Sequence, residues 1–181
     1  MDWRLRNTSE RYGLVAQFLH WSVVVGIMLQ YAWAWRIDNT ESIRQQFSLV
    51  NEHKSIGMTI LLLVLLRIGW RAINQTPDHP PGTRLWQANA ANFTHALLYF
   101  LILLMPLTGW MYSSAAGYGA EFYGLLDIPD FVPTSERLES FMHLAHESMA
   151  WAIPIVVLVH VAAALRHHFV LKDDVLKRML P

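Results

Sequence analysis

Five histidines fall inside or at the edge of long apolar stretches: His20, His53, His95, His146 and His160. Burying an ionisable ring in such surroundings is costly, so each marks a site more readily than it would in a soluble protein. His146 and His160 are 14 residues apart. Two heptads put them on nearly one face of a helix, displaced by about 21 Å along its axis. One helix thus offers two imidazoles at two depths. Antiparallel neighbours bring His53 level with His146 and His20 level with His160. Two imidazoles facing each other suit axial ligation of an electron-carrying haem iron, because they leave no open position for oxygen and let the iron change valence with little movement. A zinc or divalent-cation path calls instead for several ligands at one depth, usually with Asp or Glu among them. A lone intramembrane histidine is as readily a helix–helix hydrogen bond, but four paired by depth make that a poor explanation of the set. His79, His143 and His168 read as loop or interfacial residues.

The elements that must hold these rings are helices in a bilayer. Of 181 residues, 54% are hydrophobic and only 15% charged, with eight tryptophans, a composition far from that of an ordinary soluble domain of this length. The formal net charge is zero. No basic field or Lys/Arg run with interleaved aromatics is present to gather nucleic acid, which is set aside as a partner. Cysteine is absent, which excludes disulfides, thiolate-bound zinc, iron–sulfur clusters and covalently attached haem.

A span needs about 20 apolar residues in a helix. Four segments reach that length, 14–35, 53–73, 88–112 and 141–170, and predict a single all-α membrane domain built as a four-helix bundle. The first, preceded by Arg4, Arg6 and Arg11, is too long for a signal-peptide core and lacks a small-residue cleavage site, so it reads as a retained span. Lys and Arg number three before span one, three from Arg67 to Arg84 and four from Arg166 onward, ten in all, against three from Arg36 to Lys54 and Arg137 alone between spans three and four. The positive-inside rule then puts both termini in the cytoplasm. The connection after span three, with Glu121, Asp127, Asp130, Glu136 and Glu139 against Arg137, is the expected outer loop, with a short helix near 120–126. Arg67 lies inside the second apolar segment, one turn before Arg71. Reaching out to the head groups and pairing with a haem propionate are both open to it. Gly26, Gly57 and Gly109 are candidates for letting a flat ring approach a helix, though close helix packing explains them equally well.

Several stretches together resemble the bacterial cytochrome b561 family: Arg11-Tyr12-Gly13 with Leu19-His20-Trp21, His53-Lys54-Ser55-Ile56-Gly57, His95 with Pro106 and Gly109, His146-Glu147, His160 with Ala162 to His168, and Lys172-Asp173-Asp174. The likeness covers essentially the whole chain. It implies two b haems, an inner one between His20 and His160 and an outer one between His53 and His146. His95 is then surplus: it could replace His20, or contact a propionate or a quinone, and the non-ligand role is preferred. His167, one heptad beyond His160 and about 10 Å further in, is a second candidate for quinone binding. Some members of that family are superoxide oxidases of similar size. The resemblance therefore implies a superoxide:ubiquinone oxidoreductase of the bacterial inner membrane, with Lys54 attracting the anion to the outer haem unless it is merely an interfacial cation. The alternative is a cytochrome b subunit fed by a periplasmic dehydrogenase or other redox protein; a third is a haem anchor without turnover.

Overall fold

The computed structural model describes residues 5–180; Arg4, counted above among the N-terminal cations, lies outside the described residues. Its frame is four helices, α1 (Leu14–Asp38), α2 (Ile43–Ala72), α3 (Leu85–Ala115) and α4 (Glu136–Arg166), each long and apolar enough to cross a membrane. Three overrun their apolar segments because the caps stand further out. Ser42 accepts the Gln45 N–H and starts α2 about three turns before His53. Arg84, after Pro80-Pro81-Gly82, starts α3, with its N–H donated to Gln87 Oε1. Ser135 accepts the Leu138 N–H ahead of Glu136 and Glu139, whose charges suit a helix N-terminus. Pro106 and Pro154 both lie inside continuous helices.

α1 packs on α2, α2 on α3 and α3 on α4, while α4 stands off from α1 and α2. A small buried core of Val23, Ile60 and Val64, flanked by Ile27, Ile56, Leu63, Ile102 and Leu103, ties the first three helices together. The outer faces carry exposed Phe18, Met28, Phe93, Trp151 and Leu158, as expected where lipid is the solvent and apolar burial between helices is not the driving force.

One end of the bundle gathers both termini. Arg11 donates to the Leu180 carbonyl at 2.8 Å, Trp21 Nε1 to Met179 at 2.9 Å, and Arg178 to the Asp78 carbonyl at 2.6 Å. Gln17, almost fully buried, directs its amide N–H groups at the carbonyls of Tyr12 and Leu180. The opposite end carries a β-hairpin where a short helix was expected: β1 (Ala120–Phe122) pairs antiparallel with β2 (Leu126–Ile128). Tyr123 and Gly124 at its turn have φ of 52° and 67°, a left-handed pair that a helix cannot contain and that Gly124 makes accessible. The hairpin is strapped to α2. The buried Ser55 hydroxyl accepts the Tyr123 N–H at 2.9 Å and faces the Glu121 carbonyl at 3.0 Å, and Tyr123 and Thr59 share a hydroxyl–hydroxyl bond of 3.2 Å.

Candidate haem-binding site

The gap between α4 and the α1–α2 pair is where the histidines meet. At the hairpin end, His53 of α2 faces His146 of α4 with ring centroids 6.3 Å apart; at the terminal end, His20 of α1 faces His160 of α4 at 6.4 Å. With metal–nitrogen bonds of roughly 2 Å and each ring centroid about 1 Å behind its nitrogen, imidazoles on opposite sides of one metal ion stand about 6 Å apart. Both pairs fit that spacing. His95 of α3 lies against His160 at only 5.3 Å, edge to face, an ordinary aromatic contact. Sequence spacing had left His20 and His95 as rivals; the His20–His160 gap has the spacing of a shared metal ion and the His95–His160 contact does not.

The surroundings of His146 suit a ligand. Its Nδ1 donates to the Met105 carbonyl at 3.0 Å, with Thr108 Oγ1 at 3.3 Å, which directs the Nε2 lone pair away from α3. A Cβ at Gly109 would lie 2.9 Å from His146 Cε1. The missing side chain therefore leaves the room that the His146 ring occupies. Gly26 and Gly57 do a different job: a Cβ at the first would meet Ile60 at 2.8 Å and at the second Gln30 Nε2 at 3.0 Å, so both serve packing of α1 on α2. Gln30 Nε2 in turn donates to the His53 carbonyl at 3.1 Å, and His53 Nδ1 is buried without a hydrogen-bond partner among the described residues. Tyr31 spans the gap, its hydroxyl donating to the Ala150 carbonyl at 2.7 Å. These features, a pair of facing nitrogen donors at each level with a gap held open between helices, fit a planar haem at each.

Arg67 neither runs out toward the head groups nor stays free. Its Nε donates to the Tyr99 hydroxyl at 3.0 Å and Nη1 to the Ala16 carbonyl at 3.1 Å. Lys54, beside His53, directs its ammonium at the carbonyls of Tyr118 and Gly119, at 3.1 and 2.8 Å, and so anchors the connection entering the hairpin. His167 opens a π-helical turn (His167–Leu171) closed by Lys172 in the left-handed region. The chain then folds back, so that His167 Nδ1 donates to Asp173 Oδ2 at 2.6 Å. Partial burial alone would raise the Asp173 carboxyl, but the hydrogen bonds from His167 and the Val175 N–H outweigh it and hold it below its ordinary value. Sequence reasoning missed Thr108, Tyr31 and Tyr99 as partners; Asp173 was visible only as part of a motif.

The family model for prokaryotic cytochrome b561 matches residues 11–181. The chain belongs to that family. It is 31% identical to cytochrome b561 homolog 2 of Escherichia coli K12 over 96% of this chain and 93% of the relative. It is 27% identical to the probable superoxide oxidase CybB of Yersinia pestis, over 95% and 97%. A probable Ni/Fe-hydrogenase B-type cytochrome subunit of Rhodobacter capsulatus is 33% identical over 51% of this chain and 34% of the relative. This cytochrome b561 family member is a multi-pass bacterial membrane protein of electron transfer, in a family whose redox group is haem b.

Proposed function

We propose that the chain carries single electrons across the bacterial inner membrane through two b haems, from superoxide on the periplasmic side to ubiquinone near the cytoplasmic side. The observation that carries this reading is the pair of imidazole gaps, 6.3 and 6.4 Å, at two levels of α4. His53 and His146 hold the outer haem; His20 and His160 hold the inner one. Haem iron between two imidazoles supplies reversible one-electron chemistry with no position open to oxygen. Every other part falls to the protein. Met105 and Thr108 fix the tautomer and orientation of His146. Tyr31 keeps α1 and α4 at a fixed separation. The excess of Lys and Arg at the terminal end supports a cytoplasmic placement of both termini.

Two superoxide anions give up one electron each and leave as oxygen; one quinone takes both electrons with two protons and leaves as quinol. At the inner end His167, oriented by Asp173, would donate a hydrogen bond or a proton to a quinone oxygen, while His95, packed against His160, is a polar group nearer the inner haem. At the outer end the role of Lys54 is electrostatic attraction, exerted from a fixed position because two of its three N–H groups are engaged.

Rapid mixing of the purified, haem-loaded protein with superoxide should reduce both haems, and added ubiquinone should reoxidise them with quinol appearing at one per two superoxides. Haems that stay oxidised under superoxide would defeat the choice of donor. A second reading, in which a periplasmic redox protein is the donor, draws on the engagement of Lys54 with backbone carbonyls and on the likeness to a protein named as a hydrogenase cytochrome subunit. It would then be favoured.

A further inference from the structure

The two histidine pairs sit in opposite electrostatic surroundings. One turn before His20 on α1 is Ala16, and one turn after His95 on α3 is Tyr99; Arg67 of α2 donates to both, at 3.1 and 3.0 Å. Its guanidinium therefore lies inside the bundle, within about one helical turn, or roughly 6 Å along the axis, of those rings. Arg71 joins it: the two guanidinium carbons stand 5.7 and 5.8 Å from the centre of the same Tyr99 ring. Among the described residues the ion pairs are His167 with Asp173 and Lys177 with Asp174, and no carboxylate joins Arg67 or Arg71. Guanidinium groups keep their charge at any physiological pH. The terminal-end pair thus sits beside two fixed, uncompensated positive charges in a poorly screened interior.

The hairpin-end pair differs. Its adjacent cation, Lys54, is turned to the Tyr118 and Gly119 carbonyls; the connection after α3 carries Glu121, Asp127 and Asp130, and the first turn of α4 carries Glu136 and Glu139 against Arg137. An added electron is stabilised at the first site and much less at the second.

We propose that Arg67, with Arg71 behind it, raises the reduction potential of the haem held by His20 and His160 above that of the haem held by His53 and His146, and so fixes the direction of electron flow toward the terminal end. This rests on the ligand pairs assigned above. Arg67 acts as a positioning residue for charge, with no reacting atom touching it.

The test is a potentiometric titration of each haem alone. In a His53→Ala background only the His20/His160 haem remains, and in a His20→Ala background only the other. Adding Arg67→Gln, which keeps a donor for Tyr99 and Ala16 but loses the charge, should lower the first potential. The expected size is on the order of tenfold in the reduced-to-oxidised ratio at fixed potential, about 59 mV for one electron. The second potential should stay put, and Arg67→Lys should restore the first. Equal shifts at both sites, or none at the first, would overturn the proposal while leaving the ligand assignment intact. Should Arg67→Gln fail to load haem, Arg71→Gln, which leaves the bonds to Tyr99 and Ala16 alone, should give a smaller shift of the same sign at the same site, and no shift there overturns the proposal. A wild type that titrates in a single step while holding two haems would also overturn the proposal, and one that binds fewer than two haems would overturn the ligand assignment itself.

Discussion

The two ends of the bundle position their histidines by different means. At the hairpin end the rings are held by specific local contacts: His146 is hydrogen-bonded to Met105 and Thr108 and seated over Gly109, while the His53 carbonyl is gripped by Gln30. At the terminal end the rings of His20, His95 and His160 have neighbours but, among the described residues, no hydrogen-bond partners, and the surroundings act through charge from Arg67 and Arg71. The hairpin-end pair is thus held by local contacts, while the terminal-end pair has guanidinium charge beside it. On the proposed path, the entry would be rigid and the exit the lower-energy place for an electron.

The sharpest way to break the contrast is at Gly109. A leucine there should drive His146 off α3, since a Cβ alone would already lie 2.9 Å from the ring. The expected result is loss of the hairpin-end haem from the visible spectrum while the other haem stays, read as haem per polypeptide.

A smaller effect is expected from Ser55→Ala. It removes the acceptor of the Tyr123 N–H and leaves buried backbone groups without partners, a cost of about 1–3 kcal/mol. Amide exchange across the hairpin should quicken by roughly tenfold or more, while the terminal end stays as protected as before.

The smallest effect, confined to the terminal end, concerns Asp173. Its carboxyl is held below the ordinary value by His167 and the Val175 N–H against the opposing effect of burial, so its contribution to closing the C-terminal turn is present above the unfolded carboxylate pKa of about 3.9 and is lost as pH falls through the lowered value. The protection factors of the amides of residues 172–180, taken against the intrinsic exchange rate at each pH, should therefore fall on acidification in the wild type and vary little with pH in Asp173→Asn. The same fall in both would assign the pH response to another group.

Much of this architecture was legible in the residues. Apolar length alone yields four spans, and the separation of His146 and His160 yields two levels on one helix, because helical periodicity converts spacing into depth. Helix ends were less legible. Ser42 continues α2 beyond the apolar segment, and polar residues in a helix outside the bilayer leave no hydropathy signal. A short helix was expected near 120–126; the left-handed pair at Tyr123 and Gly124 and the hold of Ser55 and Lys54 from α2 decide otherwise. Contacts between distant segments, such as Arg67 with Ala16 and Tyr99 or Gly109 with His146, depend on how α1, α3 and α4 lie beside one another, which spacing within one segment does not encode. Pro106, next to Met105, was the nearest available hint at the latter.

The most direct test of the two-pair arrangement is haem content with a reduced-minus-oxidised visible spectrum, taken on detergent-purified wild type and on His20→Ala, His53→Ala and His95→Ala. The centroid separations predict two b haems in the wild type, one after loss of His20, one after loss of His53, and two after loss of His95. A His95→Ala protein that loses a haem while His20→Ala keeps both, or a wild type that binds none, would contradict it.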